Sequence, residues 1–263
     1  STMKGTPIPA SLFAGALRPP TPAGVPLPPV RDRLVAATDA YAVQEINTRA
    51  RLAAGGRLVG RKIGLTNPAV QRQLGVDQPD YGMLFADMDL PHGAELPWRA
   101  GAQWKAEAEL AFVLGRALPD PDTTMAEVLR SVEYVVPAIE IVGSRIAGWD
   151  ISFLDTVADN ASSAFFTLGP SARRLVGSDL LDCRMEMRQD DAVVSAGSGR
   201  ACLGSPLNAL LWLARIMAGA GRALGEGDAV LSGALGPMVT ATPGAAFVAR
   251  IEGFGETAIR FGV

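Results

Sequence analysis

Apolar and polar positions along the chain fall into two periods. A period near 3.6 in "TDAYAVQEINTRARLAAGG" predicts a helix over residues 39–54. Thr38 is its expected cap, Ala42, Val43, Ile46 and Ala53 its apolar face, and Gly55 its left-handed stop. "NPAVQRQLG" predicts a short helix with Asn67 as cap and Pro68 at the first position, and "TTMAEVLRSV" predicts another with a threonine cap. "SPLNALLWLARIMAGAG" predicts a fourth, capped by Ser205, opened by Pro206 and stopped at Gly219 or Gly221. Alternation, or short β-branched runs, predicts strands in "RLVGRKIGL", "AEAELAFVLG", "EYVVPAIEIVG", "AVLSGAL", "AFVARIEGF" and "GETAIRFGV". Pro137 in the third of these suggests an edge strand or a bulge, and "VDQPDYG" reads as a turn.

The pattern is weakest at the start, where residues 1–30 hold eight of the 19 prolines. Only a short helix over residues 11–17 fits there, followed by an extended, polyproline-like arm that packs on the body or on a neighbouring subunit. The expected organisation is therefore a Pro-rich arm and N-terminal helical region over residues 1–59 and a β-rich domain over residues 60–263. The fold class is mixed α/β, a β-rich body with a few packed helices.

Composition narrows the function. With 24 Lys+Arg against 27 Asp+Glu and a net charge of −3, the chain has no basic field for a nucleic-acid backbone or an anionic lipid surface. The two cysteines, Cys183 and Cys202, suit neither a disulfide framework nor a thiolate zinc site. The start lacks the apolar core of a secretion signal and no apolar run reaches the length of a membrane span, so a soluble, cytoplasmic protein is expected. Trp104, Trp149 and Trp212 are expected in the core or at an interface. The sole histidine, His92, sits in the turn-like "LPHGAEL" and is expected in contact with water rather than in a catalytic role.

The chemistry gathers on carboxylates. In a strand, side chains at i and i+2 share a face, so Glu107 and Glu109 of "KAEAEL" project together from a run that is otherwise apolar. A close acid pair in such company needs a cation or a shared proton. Glu140, between Ile139 and Ile141, is a third acid in a similar setting. Three carboxylates without an imidazole or a thiolate define an all-oxygen site for a hard ion, Mg²⁺ or Mn²⁺.

The stretches "GRKIGLTNPAVQRQLGVDQPDYGMLFADM", "AEAELAFVLGRALP", "PAIEIVGSRI", "DTVADNASSAFFTLG", "LGSPLNALLWLA" and "LSGALGPMV" resemble the 2-hydroxypenta-2,4-dienoate (2-keto-4-pentenoate) hydratases of the fumarylacetoacetate hydrolase superfamily. The resemblance runs in order from residue 39 to 263; the Pro-rich arm departs from it. It implies a rolled, mixed β-sheet body, a divalent metal on Glu107, Glu109 and Glu140, homo-oligomerisation, and hydration of a dienoate late in meta-cleavage of aromatic compounds to give 4-hydroxy-2-oxopentanoate. A complex with a pathway decarboxylase or aldolase is a further expectation.

In that light Lys62 and Asp80 are the candidate proton carriers, with Lys62 an alternative carboxylate anchor; only one of Arg61 and Lys62 can point inward from an alternating strand. Ser162 or Asn160 is expected to line the site, Arg145 to hold a substrate carboxylate or a subunit contact, and Ser232 to form a pocket wall. Three other readings stand beside it: a 4-oxalocrotonate decarboxylase with the same glutamate triad, a C–C hydrolase, which would want a base such as histidine, and a non-catalytic metal-binding subunit supporting a decarboxylase.

Overall fold

The computed structural model describes residues 26–263, so the helix expected over residues 11–17 lies outside the described residues. The strands are β1 (Leu58–Gly64), β2 (Asp80–Phe85), β3 (Asp89–Leu90), β4 (Glu95–Leu96), β5 (Trp104–Leu114), β6 (Val132–Gly143), β7 (Ser163–Leu168), β8 (Arg184–Gln189), β9 (Ala192–Ser198), β10 (Ala229–Ala234), β11 (Val239–Thr240), β12 (Ala246–Ile251) and β13 (Gly255–Phe261). One sheet runs β2-β1-β10-β5-β6-β7-β3, with β11 added to β5; the second runs β4-β13-β12-β8-β9. The first sheet is mixed: β1 and β10 are parallel, as are β3 and β7, and the other pairs are antiparallel.

That sheet is rolled: β2 and β7 lie five strand positions apart, about 24 Å on a flat sheet, yet a Cβ at Gly82 of β2 would lie 2.7 Å from Ser163 Oγ of β7. On the concave face Lys62 Nζ of β1 is 3.1 Å from Glu140 Oε1 of β6. The concave face therefore brings β1, β5 and β6 together. Between the two sheets sits an aromatic cluster in which Trp104 meets Trp98, Phe165 and Phe261 at centroid distances of 5.3, 5.9 and 5.7 Å.

The helices are α1 (Ala37–Ala53), α2 (Pro68–Leu74), α3 (Met125–Ser131), α4 (Phe153–Ala158) and α5 (Pro206–Gly219). Local caps act as expected: Asn67, Thr124 and Ser205 accept the N–H of Ala69, Glu127 and Leu207, and Gly55 takes φ 95° beyond α1. Of the two glycines offered as the stop of α5, Gly221 adopts the left-handed conformation. Residues 199–219 are apolar and long enough to cross a membrane by composition, but α5 turns Ala209, Leu210, Leu213, Ala214 and Met217 into the core at helical spacing.

Three local expectations are corrected. Thr38 does not cap α1: the helix begins at Ala37 with Ala36 in the cap position, and the Asp39 carboxylate reaches back to the N–H groups of Val35 and Ala36. The buried face of α1 is Ala40, Val43, Gln44, Asn47 and Thr48, while Ile46 stays about half exposed. Gln44 explains the choice: it donates to the carbonyls of Tyr81 and Val157, polar anchors that hydrophobic periodicity does not see. Pro137 is neither at an edge nor at a bulge. It lies in the central strand β6, and its missing N–H faces the side where β7 has ended, since Pro137 O accepts from Gly169 just past the last pair, Ala138 with Leu168.

The end of the Pro-rich arm packs on the body, Leu27 pairing with Ile146 and the N–H of Val30 bonding to Asp155. Val30, Ala40 and Val43 then share a small core with Phe153, Val157 and Ala158, so α1 rests on α4.

Candidate metal centre and cavity

The antiparallel register of β5 and β6 sets Glu107 opposite Glu140, and Glu109 lies two residues along the same face. One oxygen from each of the three lies within 4.8 Å of the others. Glu109 is held by a β-bulge: Leu231 pairs with Ala111 but Ala234 with Glu109, leaving one extra residue in β10. The bulge turns the Gly233 N–H out of the ladder and onto Glu109 Oε2 at 3.1 Å. Ser232 Oγ accepts the Leu110 N–H that the bulge leaves over. Gly233 has φ 102°, and a Cβ there would meet Thr66 Cγ2 and Oγ1 at 2.5 Å, so the conformation and the space both require glycine.

β1 and β2 supply the remaining charges. Alternation sends Lys62 to the concave face, where Nζ donates to Ala161 O at 2.8 Å and pairs with Glu140. Arg61 points the other way but is not solvated: it is buried, donating to the carbonyls of Gly60 and Arg222. Asp80 opens β2 opposite Gly64, whose missing side chain leaves room for the Asp80 carboxylate.

Four buried carboxylates thus face one ammonium. Burial, then the charge of Glu140, pushes Glu107 up to about 7 against the pull of Lys62. Glu109 is raised well above the carboxylate range by burial and by both other glutamates. Burial raises Asp80 to about 6, opposed by Lys62. Burial alone would lower Lys62, but Glu140, Asp80, Glu107 and Glu109 together hold it above its ordinary value. Glu109 Oε1, Glu140 Oε2 and Asp80 Oδ1 are buried without a hydrogen-bond partner, and Glu140 Oε1 meets Lys62 only as an ion pair out of line for a hydrogen bond. Orphaned acceptors and excess negative charge in one place fit a divalent cation with oxygen ligands, which would satisfy both at once.

The centre forms the floor of a cavity of about 520 Å³. Lys62, Asp80, Glu107 and Ser162 line it, with Glu109 and Glu140 buried behind Glu107. The upper walls are apolar, among them Leu65, Val70, Val142, Ile151 and Met238. Three expected site residues lie elsewhere. Arg145 spends its guanidinium on Asp159 and on the Asp159 and Ser163 carbonyls. Asn160 makes two hydrogen bonds with the backbone of Met83. Ser232 sits inside the bulge. Sequence reasoning missed Trp149 and Thr156 as lining residues and Ala161 as the acceptor for Lys62, for which no side-chain signal exists. Trp104 is in the core as expected, and His92 is an exposed loop residue that accepts from the Ala258 N–H.

The model of the fumarylacetoacetate (FAA) hydrolase C-terminal family matches residues 57–261. The chain belongs to that family. Among its relatives, 2-keto-4-pentenoate hydratase 2 of Dechloromonas aromatica (strain RCB) is 56% identical over 250 residues, covering 94% of this chain and 95% of the relative. The TodF product hydratase of Pseudomonas putida (strain F1) is 56% identical over 244 residues, 92% of this chain and 91% of the relative. Among solved structures, 4-oxalocrotonate decarboxylase from Pseudomonas putida G7, complexed with magnesium and adipate, superposes with a TM-score of 0.84 at 31% identity, covering 89% of this chain and 90% of that one. The rolled, mixed sheet expected from the sequence is the family's, and the magnesium in that relative is the kind of hard ion the three glutamates suit.

Proposed function

We propose that the protein is a divalent-metal-dependent hydro-lyase that adds water to 2-hydroxypenta-2,4-dienoate, giving 4-hydroxy-2-oxopentanoate in aromatic meta-cleavage catabolism. The reading is supported by relatives of that name over nearly the whole chain. The observation that carries it is that Glu107, Lys62 and Asp80, from three different strands, open onto one cavity.

Held by Glu107, Glu109 and Glu140, a Mg²⁺ or Mn²⁺ ion would supply charge for the carboxylate and 2-oxygen of the substrate and stabilise an enolate. The chain's own groups handle protons. The dienol gives up its hydroxyl proton and gains one at C5, forming a 2-oxo-3-enoate; water then adds its oxygen to C4 and a proton reaches C3. Asp80, with a carboxyl raised to about 6, can hold or accept a proton near neutral pH. Lys62, kept charged by four acids, is the donor or the anchor for developing negative charge. Ser162 adds a polar contact on the same wall.

The decarboxylase reading is less well supported. Among the described residues that line the cavity, Lys62 is the only basic one, and Glu140 already pairs with it. The second carboxylate of 4-oxalocrotonate would find no cation on the apolar walls. The reading includes a cytoplasmic homo-oligomer that can associate with the pathway decarboxylase or with an aldolase, whose retro-aldol chemistry the C3–C4 bond of the product suits.

The test is mass spectrometry of products from freshly generated 2-hydroxypenta-2,4-dienoate, with Mg²⁺ and with chelator. Gain of one water only with metal is expected. No gain, together with loss of carbon dioxide from 4-oxalocrotonate, would replace the hydratase with the decarboxylase.

A further inference from the structure

Between α4 and β7 the chain does something unusual: Asn160, Ala161 and Ser162, none of them glycine, have φ of 53°, 53° and 57°. Three successive left-handed residues with side chains persist only where their surroundings over-determine them. The surroundings here do. Asn160 accepts the Met83 N–H at 2.7 Å and donates to Met83 O at 2.9 Å, tying the turn to β2. Arg145 donates Nε to Asp159 Oδ1 at 2.7 Å, Nη2 to Asp159 O at 2.8 Å and Nη1 to Ser163 O at 2.6 Å, clamping both ends. Ser163 Oγ donates to Asn160 O, and the Ser162 and Thr156 hydroxyls bond each other. Gly82 lets the turn lie flat on β2, because a Cβ there would strike Asn160 O and Ser163 Oγ.

Gly82 is the register partner of Lys62. The turn therefore sits above Lys62 and lowers one carbonyl, that of Ala161, onto its Nζ at 2.8 Å. A left-handed turn aims that carbonyl into the cavity, which Ala161 and Ser162 line. The geometry points to Asn160 and Arg145 as positioning residues that set the Lys62 ammonium through the Ala161 carbonyl. The inference rests on the hydratase reading for its kinetic consequence, but not for its structural one. Without the clamp the turn relaxes toward ordinary φ, the carbonyl leaves Nζ, and Lys62 loses one of the two partners that fix it.

Two measurements on the full chain test this. In the first, surface and buried amines are reductively methylated and Lys62 and Lys105 are compared by peptide mass spectrometry. Asn160→Ala should raise the labelling rate of Lys62 about tenfold or more and leave Lys105 unchanged, whether or not the protein is a hydratase. In the second, Asn160→Ala should lower kcat by about ten- to a hundredfold with KM within about twofold, as displacement of a reacting group does. In a Lys62→Met background the same change should alter kcat less than about twofold, because the residue it acts through is gone. Should Asn160→Ala fail to fold, Arg145→Lys keeps a charge beside Asp159 but cannot span both carbonyls, and should give the same pattern more weakly. Lys62 labelling at the wild-type rate, or kcat losses that simply multiply in the double variant, would overturn the inference. Absence of turnover in the wild type would sink the hydratase reading, and the labelling would still decide this one.

Discussion

The bulge at Gly233 offers a sharp test of how the metal centre is built. Gly233→Ala would place a methyl group 2.5 Å from Thr66 Cγ2 and Oγ1 at a residue with φ 102°. A side chain at such a φ costs about 1–3 kcal/mol, and overpacking a filled site costs about 1–3 kcal/mol more. Thr66 is only 3% exposed, although it borders the cavity, so relief of the clash would have to come from its turning toward that space. If the bulge keeps its shape, unfolding in chelator should thus lose about 2–6 kcal/mol. If the bulge yields instead, the Gly233 N–H leaves Glu109 Oε2, a charge-assisted bond worth about 1.5–3 kcal/mol. That loss would appear as roughly ten- to a hundredfold weaker Mn²⁺ binding, at 1.36 kcal/mol per tenfold. Denaturant unfolding in EDTA reads the first and calorimetric Mn²⁺ titration the second. Unfolding free energy within about 0.5 kcal/mol of wild type together with an unchanged Kd would refute the role given to the bulge.

The other expectations concern charge and substrate. Between the ordinary value of 4.5 and the raised value of about 7, folded metal-free protein keeps a proton on Glu107 that the unfolded chain has lost, so its stability falls as pH rises. A divalent cation replaces that proton. The rise in Tm on adding Mn²⁺ should therefore be larger at pH 7.5 than at pH 5.5, and an equal rise at both would contradict the assigned ligands. Arg145→Ala strands Asp159, which is fully buried, and should cost about 3–5 kcal/mol by denaturant unfolding; Arg200→Ala, at the exposed pair with Asp182, should leave the midpoint where it is. A loss below about 1 kcal/mol at Arg145 would mean that Asp159 finds water. In competition, 4-oxalocrotonate should be a far poorer ligand than 2-hydroxypenta-2,4-dienoate, and comparable affinities by titration would remove the argument from the apolar walls.

Much of the local structure was legible in sequence because its causes are local. Asn67 before Pro68, Thr124 three residues before Glu127, and Ser205 before Pro206 each satisfy N–H groups within one turn. The shared face of Glu107 and Glu109 follows from strand pleat alone, and the absence of other ligand types nearby was enough to suggest a hard cation. Where the cause was a partner distant in the chain, local pattern failed. Ile46 outscores Gln44 in hydrophobicity, yet Gln44 is buried because Tyr81 and Val157 present carbonyls to it. Pro137 sits in a central strand because β7 stops one residue short of it.

The site divides in the same way. The sequence alone determined which residues are acidic, which strands carry them and which faces they share. Only the tertiary structure decided that Glu140 lies opposite Glu107, that Lys62 rather than Arg61 meets it across a rolled sheet, and that Arg145, Asn160 and Ser232 bond to backbone instead of lining the cavity. The physical reason is that a pleat acts over two residues, whereas register, curl and left-handed turns are set by hydrogen bonds and buried charges between segments tens of residues apart.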